Sequence, residues 1–161
     1  MVFDSLEDLA LRIDMDDLDV TKDSVLILRN AGPKGAPGMP EAGYLPIPKK
    51  LARAGVKDMV RISDARMSGT AFGTIVLHIS PEAGAGGPLA AVRNGDRIRL
   101  SVKDKSIDLL VPDQQIANRL GEFTPLEGHK RGYRALYERA VLQAPDGCDF
   151  DFLTQSGKTR K

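Results

Sequence analysis

The chain is poor in several kinds of residue, and each shortage excludes a class of function. Cys148 is the one cysteine in 161 residues, so an internal disulfide cannot form, which is typical of reducing compartments. Tryptophan is absent and aromatic residues make up 5% of the chain, which argues against a surface that stacks nucleic-acid bases. The formal net charge is +1, and no basic run precedes the last few residues, so a general nucleic-acid binder is not expected.

Long apolar stretches are also missing. No run approaches the roughly 20 apolar residues that span a bilayer. The first residues include Asp4, Glu7 and Asp8 and lack the basic start and apolar middle of a signal peptide. We therefore expect a cytoplasmic protein without membrane association. The length and the apolar fraction of 42% fit one globular domain with a sizeable core.

Apolar periodicity predicts a mixture of strands and helices. Ser5 followed by Asp8 fits a capping box at the start of the first helix. Polar and apolar residues alternate at 97–102 and again at 106–111, which predicts a hairpin with one solvent-exposed face. The predicted strands lie at 24–29, 57–62, 74–79, 97–102 and 106–111, and the predicted helices lie at 5–13, 48–54, 114–121 and 132–141. The pattern indicates an α/β domain with helices around a mixed sheet.

Two glycine-rich bends each follow a predicted strand. The glutamate loop, residues 32–41, reads GPKGAPGMPE, and the serine loop, residues 64–73, reads DARMSGTAFG. The end of a buried strand followed by such a bend is where α/β proteins tend to hold ligands. Ser68 precedes Gly69, so the backbone can turn sharply while the hydroxyl and nearby N–H groups face one point. The glutamate loop ends on Glu41, so the loops are predicted to bring a hydroxyl and a hard oxygen ligand together.

Other polar residues carry weaker predictions. Asp64 and Arg66 either orient the serine loop or form an ordinary surface pair. His78 lies in an apolar run and is predicted to be a hydrogen-bonded core histidine rather than a base. Glu82 and Arg93 are expected to cap or solvate their turns.

Four motifs in a fixed order carry a resemblance to a known family. They are GPKGAPGMPE at 32–41, SDARMSGT at 63–70, HISPEA at 78–83 and GGPLAAVRNGD at 86–96. Together they closely resemble the C-terminal domain of the dihydroxy-acid dehydratases and of their relatives, the sugar-acid (aldonate) and phosphogluconate dehydratases. The form DARMSGTAFG looks most like the sugar-acid branch. The resemblance runs from about Val2 into residues 150–152, so we expect one domain over 1–153 and a flexible tail over 154–161.

The resemblance implies a fold and a chemistry. The fold would be a swivelling β/β/α domain, a barrel-like mixed sheet with flanking helices. The family removes water from a 2,3-dihydroxy acid to give an enol that becomes a 2-keto acid, in sugar-acid metabolism and branched-chain amino acid biosynthesis. In the full enzymes an iron–sulfur cluster acts as Lewis acid on the leaving 3-hydroxyl, and Mg²⁺ holds the carboxylate and the 2-hydroxyl.

The resemblance also implies roles for residues of this chain. Ser68 matches the serine that takes the C2 proton, and Glu41 matches a magnesium ligand. The Ser-Gly-Thr stretch with Gly69 and Thr70 is expected to contact the substrate, as is Arg66 beside it. A serine hydroxyl is a poor base unless a cation or preorganised N–H groups stabilise its alkoxide, and a tight glycine turn offers such groups.

One departure from the family is large. Its cluster is held by cysteines of a long N-terminal domain, which also supplies most magnesium ligands. Such clusters need cysteines in sets of about four, and this chain has only Cys148, which we expect to be inert. We therefore expect an inactive isolated chain that needs the N-terminal domain as its partner. Separately, we expect the enzyme to be a homo-oligomer.

Two further functions remain open on sequence grounds. The chain could be a stand-alone module whose serine loop forms a nest for a small carboxylate or phosphate. It could also be a scaffold whose apolar face joins a separate catalytic subunit or another copy of itself. Neither of these alternatives involves catalysis.

Overall fold

The computed structural model describes residues 1–39 and 45–154 and has a mixed α/β architecture. Its main layer is a parallel four-stranded sheet in which the strands lie side by side in chain order. A separate antiparallel hairpin follows later in the chain. The sheet strands are β1 (Val2–Phe3), β2 (Leu26–Leu28), β3 (Arg61–Ser63) and β4 (Ile75–Val76), and the hairpin strands are β5 (Ile98–Ser101) and β6 (Ser106–Leu109).

Short helices surround the sheet. The first begins as predicted, because the Ser5 hydroxyl accepts the N–H of Asp8 at 3.1 Å. The second ends before Gly55, whose φ of +88° suits glycine. The α-helices are α1 (Leu6–Arg12), α2 (Lys49–Arg53), α3 (Asp113–Gly121) and α4 (Gly132–Ala140). In the described part of the chain, no helix has the length and apolar character that a membrane crossing requires.

The sheet is covered on both faces, which explains the continuous apolar run of β2. Leu26 and Leu28 face one cluster, together with Leu9 of α1. Ile27 points to the opposite face and packs in a second cluster with Ile62 of β3. A parallel strand buried on both sides reads as an unbroken apolar stretch rather than as alternation.

The elements agree with the sequence prediction in kind but differ in extent. Every predicted helix and strand is present, and the fold class is confirmed as α/β. The predicted strand 74–79 shortens to Ile75–Val76, and these two residues are half-buried. The prediction that the sheet closes into a barrel-like, swivelling domain stays a prediction, as do the domain bounds 1–153 and 154–161.

His78 is not the core histidine that the sequence predicts. It lies beyond β4, is exposed, and has a φ of +56°. The backbone leaves regular pairing at this point, with the N–H of His78 bonded to the main-chain oxygen of Ala65 at 3.2 Å. The apolar run therefore ends in an irregular turn, and the turn directs the imidazole outward.

Candidate active site

Both glycine-rich loops leave the same edge of the parallel sheet. The glutamate loop follows β2 and the serine loop follows β3, and these two strands are neighbours with parallel pairing. Parallel strands present their carboxyl ends at one edge, where open α/β sheets bind ligands. Glu41, predicted to be a magnesium ligand, lies outside the described residues. Residues 32–39 of the glutamate loop are described.

Asp64 begins the serine loop and fastens it to two other segments. Its side chain is 1% exposed, and its carboxylate accepts the N–H groups of Asn30 at 3.1 Å, Ala31 at 3.0 Å and Ala83 at 2.9 Å. Burial raises the pKa of Asp64, while these main-chain N–H groups act in the opposite direction. Asp64 therefore joins the serine loop to the residues after β2 and to the turn after β4. The alternative of a surface ion pair with Arg66 is wrong.

Glu82 fastens the start of the glutamate loop in the same way. Its carboxylate is 1% exposed and accepts the N–H of Lys34 at 2.9 Å and that of Gly35 at 2.8 Å. Gln143 bonds to both the side chain and the main chain of Glu82. Its Nε2 donates to Glu82 Oε1 at 2.8 Å, and its Oε1 accepts the main-chain N–H of Glu82 at 2.8 Å. A Cβ on Gly32 would lie 2.7 Å from Glu82 Oε2, so this position needs glycine. The prediction that Glu82 caps or solvates its own turn is wrong, because Glu82 is buried and accepts main-chain N–H groups of the glutamate loop.

Arg66 connects the two loops directly. Its Nε donates to the main-chain oxygen of Met39 at 2.7 Å. Met39 is buried, with a φ of +44°, and is the last described residue before the segment that contains Glu41. Arg66 precedes Ser68 by two residues, and Met39 precedes Glu41 by two residues, so the contact links the two loops close to both predicted site residues.

Ser68 lies at the tip of the serine loop with a defined hydrogen-bond environment. It is half-buried, whereas Gly69 and Thr70 are exposed. The N–H of Thr70 donates to Ser68 Oγ at 3.2 Å, and the two hydroxyl oxygens are 2.9 Å apart. The N–H of Ala71 donates to the main-chain oxygen of Ser68 at 3.0 Å. The Ser68 oxygen thus has an N–H donor and a possible O–H donor directed at it from one neighbouring residue.

Comparison with known proteins identifies the family. Residues 1–148 match the family model described as the dihydroxy-acid/6-phosphogluconate dehydratase C-terminal domain. The chain belongs to this family. It is 58% identical over 153 residues to the protein named "Putative dehydratase IlvD1" from Rhizobium meliloti (strain 1021), and the match covers 94% of this chain and 27% of the relative.

Two further relatives have names that state a substrate. The chain is 55% identical over 159 residues to the 6-deoxy-6-sulfo-D-gluconate dehydratase of Pseudomonas putida, covering 98% of this chain and 27% of the relative. It is 51% identical over 160 residues to the L-arabonate dehydratase of Azospirillum brasilense, covering 95% and 27%. The chain spans about a quarter of the length of the curated relatives it matches.

The residues of this dehydratase domain do not fit an iron–sulfur cluster. Cys148 is the sole cysteine, and its Sγ lies 3.6 Å from the sulfur of Met39. Burial raises the pKa of the Cys148 thiol, with the charge of Glu82 adding to the effect, and this disfavours the thiolate that a cluster needs. A cluster is therefore not a property of this chain.

The described residues also do not complete a magnesium site. Within 1–39 and 45–154, no group of three or more His, Cys, Asp or Glu residues could hold a metal ion. Asp64 and Glu82 are the buried carboxylates of this region, and their oxygens already accept main-chain N–H groups. Glu41 therefore remains a predicted ligand that would need further ligands from outside the described residues.

The site contains buried polar contacts that the sequence analysis did not predict. Gln143, which holds Glu82, comes from a segment far along the chain that carries no motif. Glu82 belongs to the HISPEA motif, and the glycines near it signal a close approach: a Cβ on Gly84 would lie 3.1 Å from the backbone of Gly35. Arg93 conforms to the prediction, since it is exposed, pairs with Glu122 at 2.8 Å, and has its N–H bonded to Asp96.

Proposed function

We propose that this chain is the C-terminal domain of a dehydratase, a carbon–oxygen lyase, that converts a sugar acid or another 2,3-dihydroxy acid to a 2-keto acid. The observation that supports this proposal most strongly is the environment of Ser68, whose oxygen faces the N–H and hydroxyl of Thr70. The loop that carries Ser68 is tied to the glutamate loop by Arg66. Family membership supports the same reaction class.

In the proposed reaction, Ser68 takes the proton from C2 of the acid, and the 3-hydroxyl leaves as water. The resulting enol tautomerises to the 2-keto acid, so the reaction needs no oxidant or reductant. Ser68 must act as an alkoxide, and a bare serine alkoxide is too unstable at neutral pH. The Thr70 N–H at 3.2 Å from Oγ and the Thr70 hydroxyl at 2.9 Å stabilise the negative charge on this oxygen.

Substrate contacts are assigned to the same loop. Gly69 and Thr70 are exposed at its tip, next to Ser68. Arg66 is exposed, and its Nε is held by Met39. Its two terminal nitrogens offer further N–H donors that suit a carboxylate, which a guanidinium binds with two parallel hydrogen bonds. We assign the carboxylate of the acid to Arg66.

The remaining parts of the enzyme are assigned to a partner region. An N-terminal domain would supply the iron–sulfur cluster, which activates the leaving 3-hydroxyl, and most ligands of Mg²⁺. Glu41 would add one ligand from this chain. We propose that the domain swivels as a barrel-like β/β/α unit over residues 1–153, within a cytoplasmic homo-oligomer, and that the isolated chain is inactive. Sugar acids are the favoured substrates because two relatives above 50% identity are named for them.

The proposal is tested with a fusion enzyme. In it, this chain replaces the matching C-terminal region of the L-arabonate dehydratase from Azospirillum brasilense, to which it is 51% identical. We expect the fusion to form the 2-keto acid from L-arabonate, whereas the isolated chain supplied with iron, sulfide and Mg²⁺ forms none. A fusion with Gly87→Ala is a folding-defective control, because its Cβ would overlap the main-chain oxygen of Pro81. Turnover by the isolated chain would contradict the assignment of the cluster to a partner region.

A further inference from the structure

One buried arginine of β3, Arg61, contacts both the serine loop and the segment that follows the glutamate loop. Arg61 is 1% exposed, which is unusual for a charged side chain. Its Nη2 donates to the main-chain oxygen of Phe72 at 2.9 Å, near the end of the serine loop. Its Nη1 donates to the main-chain oxygen of Leu45 at 3.2 Å, the first described residue after the glutamate loop. We propose that Arg61 is a positioning residue that holds the serine loop, and with it Ser68, in its working geometry; this role rests on the proposed function.

Asp58 also binds Arg61 and the residue that follows the serine loop. Its Oδ1 accepts Arg61 Nη2 at 2.8 Å, and its Oδ2 accepts the N–H of Thr74 at 2.9 Å and the Thr74 hydroxyl at 2.8 Å. The Arg61–Asp58 pair therefore holds the chain on both sides of Gly73, at Phe72 and at Thr74. A Cβ on Gly73 would overlap Arg61 Nη2 and Asp58 Oδ1, and Gly73 has a φ of +102°, so only glycine suits this position.

The two ends of the serine loop are thus fixed by different buried charges. Asp64 holds the start through three main-chain N–H groups, and Arg61 holds the end through a main-chain oxygen. Ser68 lies between these anchors. Movement of either end would alter the turn in which the Thr70 N–H approaches Ser68 Oγ at 3.2 Å.

The choice of arginine supports a positioning role over a role in packing alone. Burial of a charge in a strand is costly, and an apolar side chain would fill the same space at less cost. The guanidinium offers five N–H donors in a planar fork, so it can hold carbonyl groups that lie in different directions. Arg61 binds three main-chain oxygens in this way, since its Nε also donates to the main-chain oxygen of Met59 at 3.2 Å. Lysine, with one nitrogen, cannot reach all three oxygens.

The test measures the rigidity of the serine loop in the isolated chain by ¹⁵N relaxation. The variants are Arg61→Lys and Asp58→Ala, and the matched control is Arg29→Lys. Arg29 also donates to three main-chain oxygens, those of Leu89, Ala90 and Val92, but it does not touch the serine loop.

We expect the amides of residues 68–72 to have order parameters of about 0.85, the value of a rigid backbone, in the wild type and in Arg29→Lys. In Arg61→Lys and Asp58→Ala they should fall below about 0.6. Should Arg61→Lys fail to fold, Asp58→Ala decides alone, because the Asp58 side chain is 41% exposed and its loss is tolerable. Three results would overturn the proposal: a loop that is already flexible in the wild type, a loop that stays rigid in both variants, or a loop that becomes equally flexible in the control.

A kinetic readout separates this proposal from the proposed function. In the fusion enzyme, Asp58→Ala and Arg61→Lys should lower kcat by about tenfold or more while KM changes less than about twofold, since a displaced base affects the chemical step. A loosened loop with unchanged kcat would remove the positioning role and leave the proposed function intact. A Ser68→Ala enzyme with full activity would remove the proposed function, and the relaxation result would still report on how Arg61 holds the loop.

Discussion

Arg66 Nε and the main-chain oxygen of Met39 lie 2.7 Å apart, joining the serine loop to the glutamate loop. The bond places the backbone that leads to Ser68 beside the backbone that leads to Glu41. Asp64 adds a second connection at the base of the same loops, through the N–H groups of Asn30 and Ala31. The two bends are therefore parts of one structural unit at the carboxyl edge of the sheet.

Replacing Arg66 should affect substrate binding more than folding. Arg66→Met removes one hydrogen bond from an exposed side chain, so the free energy of unfolding should fall by only about 1 kcal/mol. In the fusion enzyme, KM for the sugar acid should rise by about tenfold or more, because a charged hydrogen bond to the carboxylate is lost. Arg97→Met, on another exposed arginine, is the control. An unchanged KM would remove Arg66 from the substrate contacts.

Substitution by alanine should cost much more stability at Gly73 than at Gly69, although both glycines lie in the serine loop. A Cβ on Gly69 meets nothing within 4 Å, so Gly69→Ala should change the free energy of unfolding by less than about 0.5 kcal/mol. Gly73→Ala should cost several times more, because its Cβ overlaps Arg61 and Asp58 and its φ is +102°. Urea denaturation of both variants measures the difference. With the fold intact, any loss of turnover in Gly69→Ala then reports on the substrate contact, and equal stability losses would contradict the geometry.

Gln143 should matter for stability although no motif marks it. Gln143→Leu leaves the main-chain N–H of Glu82 without its acceptor and removes one donor from the buried carboxylate. The expected cost is about 1–3 kcal/mol in urea denaturation. Gln114→Leu is the matched control, since Gln114 is exposed on α3 and should change stability by less than about 0.5 kcal/mol. Equal effects from the two substitutions would mean that the Glu82–Gln143 pair does not stabilise the fold.

Local sequence patterns were enough to predict the elements and the position of the two loops. Ser5 and Asp8 mark the first helix, and the glycine-rich bends follow the strands that the structure pairs as neighbours. These features depend on residues close together in the chain, which is why periodicity and turn chemistry reveal them.

The parts that the sequence did not predict depend on distant contacts. Glu82 was expected to cap or solvate its own turn, yet it accepts N–H groups of Lys34 and Gly35 almost fifty positions earlier. His78 was expected in the core, yet its backbone turns outward after β4 is cut short. A buried carboxylate and an exposed one look alike in sequence, because the acceptor role is set by backbone groups that only the fold brings near.

Acid should weaken the connection between α3 and the turn before β5. Asp96 accepts both terminal nitrogens of Arg119, at 2.5 and 3.1 Å, and the N–H of Arg93 at 2.8 Å. Burial alone would raise the pKa of Asp96, but these bonds and the arginine charges outweigh it and lower the pKa below 3.8. Between the lowered pKa and 3.8 the unfolded chain binds more protons, so stability falls as the pH falls through this window.

The matching measurement compares wild type with Asp96→Asn at two pH values. Urea denaturation at pH 7 should show the wild type to be the more stable of the two, and the difference should shrink well below pH 3.8, where the wild-type carboxyl is also neutral. Asp17→Asn, on an exposed residue, should show little difference at either pH. A gap that stays constant on acidification would mean that the charge of Asp96 is not what stabilises this contact.

The central claim is that the Ser68 hydroxyl takes the C2 proton, and the rate of 2-keto acid formation by the Ser68→Ala fusion enzyme tests it most directly. Ser24→Ala is the matched control, because Ser24 Oγ also accepts a main-chain N–H, that of Thr21 at 3.0 Å, but Ser24 precedes β2 and lies outside the serine loop. We predict that Ser68→Ala lowers kcat by at least about 10²-fold while Ser24→Ala retains the wild-type rate. A Ser68→Ala enzyme that keeps kcat within a few-fold of wild type would contradict the account.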